Sequence, residues 1–157
     1  MYLRFSRFAT PDLTSEVEGF TYEIGKGVTL AEGGDVTIVA CGYMVHLAME
    51  AKDILAAEGI NATVIDMHTV KPLDTELLVA AARKTGAVVT AEEHSINGGL
   101  GEAVASALAE TYPVPVMRVG VADTFGRSGK VPPLLEMYGL TSAKIVERAK
   151  AAIALKK

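Results

Sequence analysis

The residues richest in chemistry lie together in the run Glu92-Glu93-His94-Ser95-Ile96-Asn97-Gly98-Gly99-Leu100-Gly101-Glu102. An imidazole beside two carboxylates suits a proton shuttle, because a neighbouring carboxylate favours the imidazolium and fixes the orientation of the ring. The glycines that follow, opening into a helix, expose backbone N–H groups at the positive end of a dipole, where an anion can dock. Glu93, His94, Ser95, Gly98, Gly99 and Gly101 are therefore candidates for an anion-binding or interface loop. A plainer reading keeps the same residues structural: the glycines permit a tight turn, Ser95 or Asn97 caps the helix, and Glu92 and Glu93 face solvent or a partner. Both readings stay open on the residues alone.

Arg7 is the second candidate. In Leu3-Arg4-Phe5-Ser6-Arg7 the arginines alternate with apolar residues as in a strand. A guanidinium fork at a strand end suits a phosphate monoester, and a surface ion pair is the alternative. Other chemistries lack support. His46, His68 and His94 have no metal-ligand spacing with one another or with Cys41, so no metal site is expected. Cys41 closes an apolar run, where a buried, inert thiol is the default. Ser128, in Gly126-Arg127-Ser128-Gly129, lacks the spacing of a nucleophile elbow. The glycine run matches neither dinucleotide nor P-loop fingerprints. No catalytic residue is assigned.

The elements that must position these residues alternate strand and helix. Val36-Thr37-Ile38-Val39-Ala40-Cys41-Gly42 is β-branched and almost wholly apolar, as for a strand covered on both faces. A helix follows from Met44 to about Glu58, with Leu47, Ala51, Ile54 and Leu55 on one face and Gly59 at its C-terminal end. Residues 62–68 form the next strand. Pro72 and Asp74 open a helix that runs to Gly86. Residues 87–92 are a third strand, followed by the Gly-rich turn and a helix over 100–111, and residues 114–121 are a fourth. Pro132 and Pro133 open a short helix ending near Gly139, and Thr141 or Ser142 caps a last helix. Strand starts fall about 25 residues apart, the length of a strand, a crossover helix and two short loops, which predicts right-handed βαβ units in an α/β fold. Residues 2–8 read as a strand remnant, 10–18 as a polar linker, and 20–30 as an edge strand broken by Gly25 and Gly27.

The chain has 157 residues, half of them apolar, with a formal net charge of -4. That describes one globular domain without the basic patch of a nucleic-acid or anionic-membrane binder. One cysteine cannot form an internal disulfide, which fits a cytoplasmic protein, and no apolar run approaches the ~20 residues of a membrane span.

In order along the chain, Glu23-Ile24-Gly25-Lys26-Gly27, Thr69-Val70-Lys71-Pro72-Leu73-Asp74, Glu92-Glu93-His94-Ser95 and Gly98-Gly99-Leu100-Gly101 resemble the C-terminal domain of thiamin-diphosphate-dependent transketolases, in particular the C-terminal section of split, two-subunit transketolases. Phe125-Gly126-Arg127-Ser128-Gly129 and the run from Leu134 to Thr141 resemble the family's closing loop and final helical pair. The resemblance implies a three-layer α/β/α domain with a mixed, mostly parallel sheet of about five strands. One strand would be antiparallel, the edge strand near residues 20–30. Residues 1–18 would be the end of the preceding pyrimidine-binding domain and a linker, and 19–157 the C-terminal domain.

It also implies an activity, transfer of a two-carbon ketol group from a ketose phosphate to an aldose phosphate. Thiamin diphosphate and a divalent metal, Mg, would be held mainly by N-terminal and pyrimidine-binding domains outside this chain. The chain alone would be inactive, serving assembly and completion of the substrate site, and the complete enzyme would be a homodimer with cofactor sites between subunits. Family members end their middle domain in a Ser-Arg or Pro-Arg pair whose arginine grips the sugar phosphate; Ser6-Arg7 is similar, which makes Arg7 the substrate-phosphate candidate. The loop around His94 would lie at an interface or at the active-site rim. The near alternatives are the C-terminal domain of 1-deoxyxylulose-5-phosphate synthase and a 2-oxo-acid dehydrogenase beta subunit. His94 and the Phe-Gly-Arg-Ser-Gly loop favour transketolase. A non-catalytic anion-binding or subunit-assembly module is the alternative of another class.

Overall fold

The computed structural model describes residues 1–15 and 17–156. The first parallel strand, β2 (Val36–Ala40), is the centre of the sheet, with every residue fully buried. Around it lie β1 (Val28–Ala31), β3 (Ala62–Asp66), β4 (Val88–Ser95) and β5 (Val116–Val121), in spatial order β1-β3-β2-β4-β5. The four strands β3, β2, β4 and β5 run parallel, and β1 pairs antiparallel with β3 at the edge. The expected mixed sheet and its single antiparallel edge strand are thus observed. That edge strand begins later than expected, at Val28, because Glu23–Lys26 folds into a turn closed by a hydrogen bond from the Lys26 amide to the Glu23 carbonyl. Gly25 adopts φ +87° there, and a Cβ on it would lie 2.9 Å from Pro72.

Side-chain alternation along the strands divides the core. Val36, Ile38, Ala40, Val64, Val89, Ala91 and Val119 pack against helices α1 (Met44–Ala57) and α5 (Ser142–Ala154), which cover one face. Val39, Ile65, Met67 and Val88 pack against α2 (Thr75–Thr85) and α3 (Leu100–Thr111) on the other. The short α4 (Val131–Tyr138) adds Leu135 and Tyr138 to the first face. Fully buried aliphatic side chains each contribute about 1.5–3 kcal/mol through removal from water, so this doubly covered sheet is the main source of stability. In α1 the buried face is Met44, Val45, Ala48, Ala51 and Leu55, while Ile54 turns outward with 42% exposure. Leu100, Val104 and Leu108 of α3 are spent on the core. No strand forms among residues 2–8. A lone extended segment has no ladder to join, and an isolated strand has no stability of its own.

Two of the sequence motifs meet at Asp74. Its Oδ1 accepts from the Leu77 amide at 3.1 Å, capping α2, and its Oδ2 accepts from the Gly27 amide at 3.0 Å. The Gly-Lys-Gly turn is thereby fastened to the start of a helix 47 residues later.

The crossovers after β2 and β4 leave toward opposite faces, α1 to one and α3 to the other. The carboxyl ends of these neighbouring strands therefore form the topological switch point of the sheet, where open α/β folds place their ligands. Cys41 and the Glu92 run lie there, joined by a hydrogen bond from the Cys41 amide to the Ala91 carbonyl at 3.2 Å.

Candidate functional site

The candidate residues sit on the distal end of β4. This strand continues through Ser95 rather than stopping at Glu92, with an irregular register against β5 between Ala91 and Ser95. Gly120 on β5 makes room for the irregularity, since a Cβ there would lie 2.9 Å from the His94 carbonyl oxygen and 3.3 Å from Glu92 Cγ. The Arg118 guanidinium donates to the Ile96 carbonyl at 2.9 Å and holds the turn from beyond the strand.

Glu92 is the centre of this arrangement. Its side chain is only 2% exposed, and both oxygens are used: Oε2 accepts from the Leu100 amide at 2.7 Å and Oε1 from the Gly101 amide at 2.8 Å. A carboxylate at a helix N-terminus satisfies amides that have no intrahelical partner and interacts favourably with the dipole. Gly99, the N-cap residue, supplies no side-chain cap of its own. Thus Glu92 faces neither solvent nor partner, and neither Ser95 nor Asn97 caps the helix. Ser95 Oγ instead accepts from the Asn97 amide at 3.1 Å, and the Gly98 amide donates to Glu102 at 2.7 Å. The backbone donors of Gly98, Leu100 and Gly101 are therefore satisfied by the chain's own carboxylates. Glycine keeps this space open: a Cβ on Gly99 would lie 2.0 Å from Glu92 Oε2, and one on Gly101 would lie 2.8 Å from Arg118 Cδ and 3.0 Å from Glu92 Oε1.

His94 is turned the other way, with its side chain 43% exposed. Its Nδ1 lies 2.8 Å from the Ser95 carbonyl oxygen and 4.0 Å from Glu92 Oε2. Glu93 joins the site through its backbone, accepting at its carbonyl from Arg4 Nη2 at 2.6 Å. Arg7 is exposed, and no hydrogen bond among the described residues brings its guanidinium to this loop. Arg4, three residues earlier, makes that contact. Phe8 stacks edge-on against Tyr43 with ring centroids 6.1 Å apart, so Arg4 and Phe8 fasten the segment on either side of Ser6-Arg7.

Two titratable groups share the carboxyl end of the sheet. Burial, aided by the charges of Glu92 and Asp66, pushes the Cys41 thiol up to about 12, so the nucleophilic thiolate is negligible near neutral pH. Burial also raises the Asp66 carboxyl to about 6, and its Oδ1 is enclosed without a hydrogen-bond partner. Two residues on, His68 is held below the usual imidazole range by burial and stacks on Tyr22 at 4.5 Å. Asp66, Arg118 and the burial of Glu92 lie outside the sequence motifs. Their signals are an acid ending an apolar run, a lone base in an apolar strand, and, for Glu92, continuation of the inward alternation of Val88 and Thr90.

A thiamin diphosphate–metal pair would need free backbone donors and a ligand cluster. The amides of Leu100 and Gly101 are committed to Glu92, and among the described residues no group of three His, Cys, Asp or Glu side chains is arranged to hold a metal. These residues do not fit that cofactor as its principal site.

Comparison with known proteins gives the setting of this loop. Residues 25–145 match the family described as transketolase, C-terminal domain. A 6-deoxy-6-sulfo-D-fructose transketolase subunit from Clostridium sp. (strain MSTE9) is 50% identical over 95% of this chain and 46% of its own length. A 1-deoxy-D-xylulose-5-phosphate synthase from Heliobacterium modesticaldum (strain ATCC 51547 / Ice1) is 44% identical over 94% of this chain and 23% of its own. The solved structure of a split gene transketolase, described as an inactive beta4 tetramer, superposes with a TM-score of 0.91 and 52% identity, covering 96% of this chain and 49% of that one. The chain spans less than half the length of these relatives. Among the described residues, no helix is long and apolar enough to cross a membrane. With the family match running over residues 25–145 and the fold superposing on that of a split gene transketolase, the chain belongs to the transketolase C-terminal domain family.

Proposed function

We propose that this chain is the C-terminal part of a two-subunit, thiamin-diphosphate-dependent transketolase that moves a two-carbon ketol group from a ketose phosphate to an aldose phosphate. The observation that carries this reading is the likeness to the split gene transketolase, which extends over 96% of this chain at 52% identity. The companion domains supply the cofactor, which acts as electron sink, together with its Mg ion; this chain supplies assembly and part of the substrate rim. Residues 1–18 are the end of the pyrimidine-binding domain and the linker from it, and Arg7 grips the phosphate of the sugar. The loop Glu93, His94, Ser95, Gly98, Gly99 and Gly101 serves as an interface rather than an anion cradle. What supports that choice is that the Leu100 and Gly101 amides are engaged by Glu92 and the Gly98 amide by Glu102. A sugar phosphate there would also face three carboxylates. The working enzyme is a homodimer of such pairs in the cytoplasm, a compartment that fits a chain with a single cysteine.

The test is reconstitution. The chain is purified alone and together with the companion that binds thiamin diphosphate, and each is assayed with ketose and aldose phosphates. Ketol transfer by the pair and none by the chain alone is the expected result; transfer by the chain alone overturns the reading. Identity to 1-deoxyxylulose-5-phosphate synthases keeps one second reading in view. The same pair given pyruvate and glyceraldehyde phosphate decides it, since turnover of pyruvate with none of ketose phosphates would assign that activity instead.

A further inference from the structure

We propose that Glu92 is a positioning residue for His94: it locks the turn so that the imidazole is held as the Nδ1–H tautomer and presents Nε2 outward as a hydrogen-bond acceptor. The tautomer follows from the geometry. Nδ1 lies 2.8 Å from the Ser95 carbonyl oxygen, and a carbonyl can only accept, so Nδ1 carries the proton and Nε2 carries the lone pair. This is the less favoured form of a free histidine side chain in water, so the fold must impose it. The imposing elements are specific. The two bonds from Glu92 to the Leu100 and Gly101 amides tie the strand end to the first turn of α3. The turn between them has no slack, because Arg118 holds the Ile96 carbonyl and Glu102 holds the Gly98 amide. The ring lies over Gly99, where a Cβ would come within 3.0 Å of Nδ1, and the same Nδ1–H has Glu92 Oε2 at 4.0 Å. Glu92 thus acts on the ring twice, by fixing its backbone and by placing negative charge on the protonated side.

The consequence is chemical. With the amides of Gly98, Leu100 and Gly101 engaged and carboxylates at Glu93 and Glu102, the loop turns mainly acceptors to its surroundings. The acceptor with a fixed aim is His94 Nε2, and its complement is an N–H or O–H donor on the companion chain. This last step rests on the proposed function, whereas the tautomer and its dependence on Glu92 do not.

The experiment is nitrogen-15 NMR of the histidine-labelled chain above the titration range of imidazole. His94 Nδ1 should read as protonated and Nε2 as unprotonated, with Glu92→Gln shifting the population toward Nε2–H. Glu92→Asp, which keeps the charge and withdraws it by one methylene, serves in place of the Gln variant if that variant does not fold. A predominant Nε2–H form in the unaltered chain, or an unchanged tautomer in a folded Glu92 variant, overturns the positioning role. In the reconstituted pair, His94→Ala should weaken assembly about five- to tenfold, as for one lost hydrogen bond. His94→Gln, whose amide oxygen stands near the place of Nε2, should restore most of it. Equal loss in Ala and Gln overturns the acceptor role. Failure of the chains to associate at all overturns the proposed function while leaving the NMR result standing.

Discussion

A Cβ on Gly99 would lie 2.0 Å from Glu92 Oε2, inside the carboxylate that caps α3. The glycine is therefore a space requirement of one buried charge. Gly99→Ala should displace the carboxylate and leave the Leu100 amide without a partner, destabilising the chain by about 2–4 kcal/mol through overpacking and a lost charge-assisted bond. Gly98 is the control. It has φ +76° with no atom near a built Cβ, so Gly98→Ala should lose only about 1–2 kcal/mol to left-handed strain. Urea unfolding of both variants checks the difference, and hydrogen exchange at Leu100 and Gly101 should accelerate only in the first.

Asp74 holds two elements with one carboxylate. Asp74→Ala removes the cap of α2 and leaves the Gly27 amide unpaired. The expected loss is about 2 kcal/mol, a cap together with part of a second bond. Asp74→Asn keeps one accepting oxygen and should lose about half as much. Chemical denaturation of the three proteins tests the order.

The layout of the fold was legible because its signals are local. The apolar run around Ile38 and the periodicity of Leu100, Val104 and Leu108 each declare an element within a dozen residues, and Thr141 caps α5 as its type suggests. The site was less legible because its bonds are not local. The partners of Glu92 are backbone amides eight and nine residues away, and no side-chain pattern names them. A polar run beside glycines reads as a loop, yet Glu93, His94 and Ser95 belong to an irregular strand whose pairing with β5 depends on Gly120. The anchoring of residues 1–10 by Arg4 and Phe8 was equally hidden, because it joins segments far apart in the chain.

Arg7 carries the prediction closest to substrate. In the reconstituted pair, Arg7→Ala should raise KM for phosphorylated sugars about ten- to hundredfold, the value of one charge-assisted phosphate contact, and leave non-phosphorylated donors nearly unaffected. Steady-state kinetics with matched sugars measures this directly. An equal loss on both kinds of donor would remove Arg7 from the phosphate site.

Asp66 makes stability depend on pH with a definite sign. Burial raises its carboxyl from 3.8 to about 6, so the folded state keeps its proton over a range in which the unfolded chain has lost it. Between those two values the folded state binds more protons, and stability must fall as pH rises. Well below pH 3.8 both states are protonated and the penalty vanishes; well above pH 6 it is complete, at up to about 3 kcal/mol. His68 contributes the opposite slope, because burial lowers its pKa and the unfolded state then binds the extra proton on acidification. Comparing the chain with Asp66→Asn isolates the carboxyl, since His68 is common to both. The Asn variant should come within about 0.5 kcal/mol of the parent near pH 4 and exceed it by about 1–3 kcal/mol at pH 7–8. Urea midpoints across that range read the difference, and a variant less stable than the parent at pH 8 would mean that the enclosed carboxylate has a partner in the folded chain.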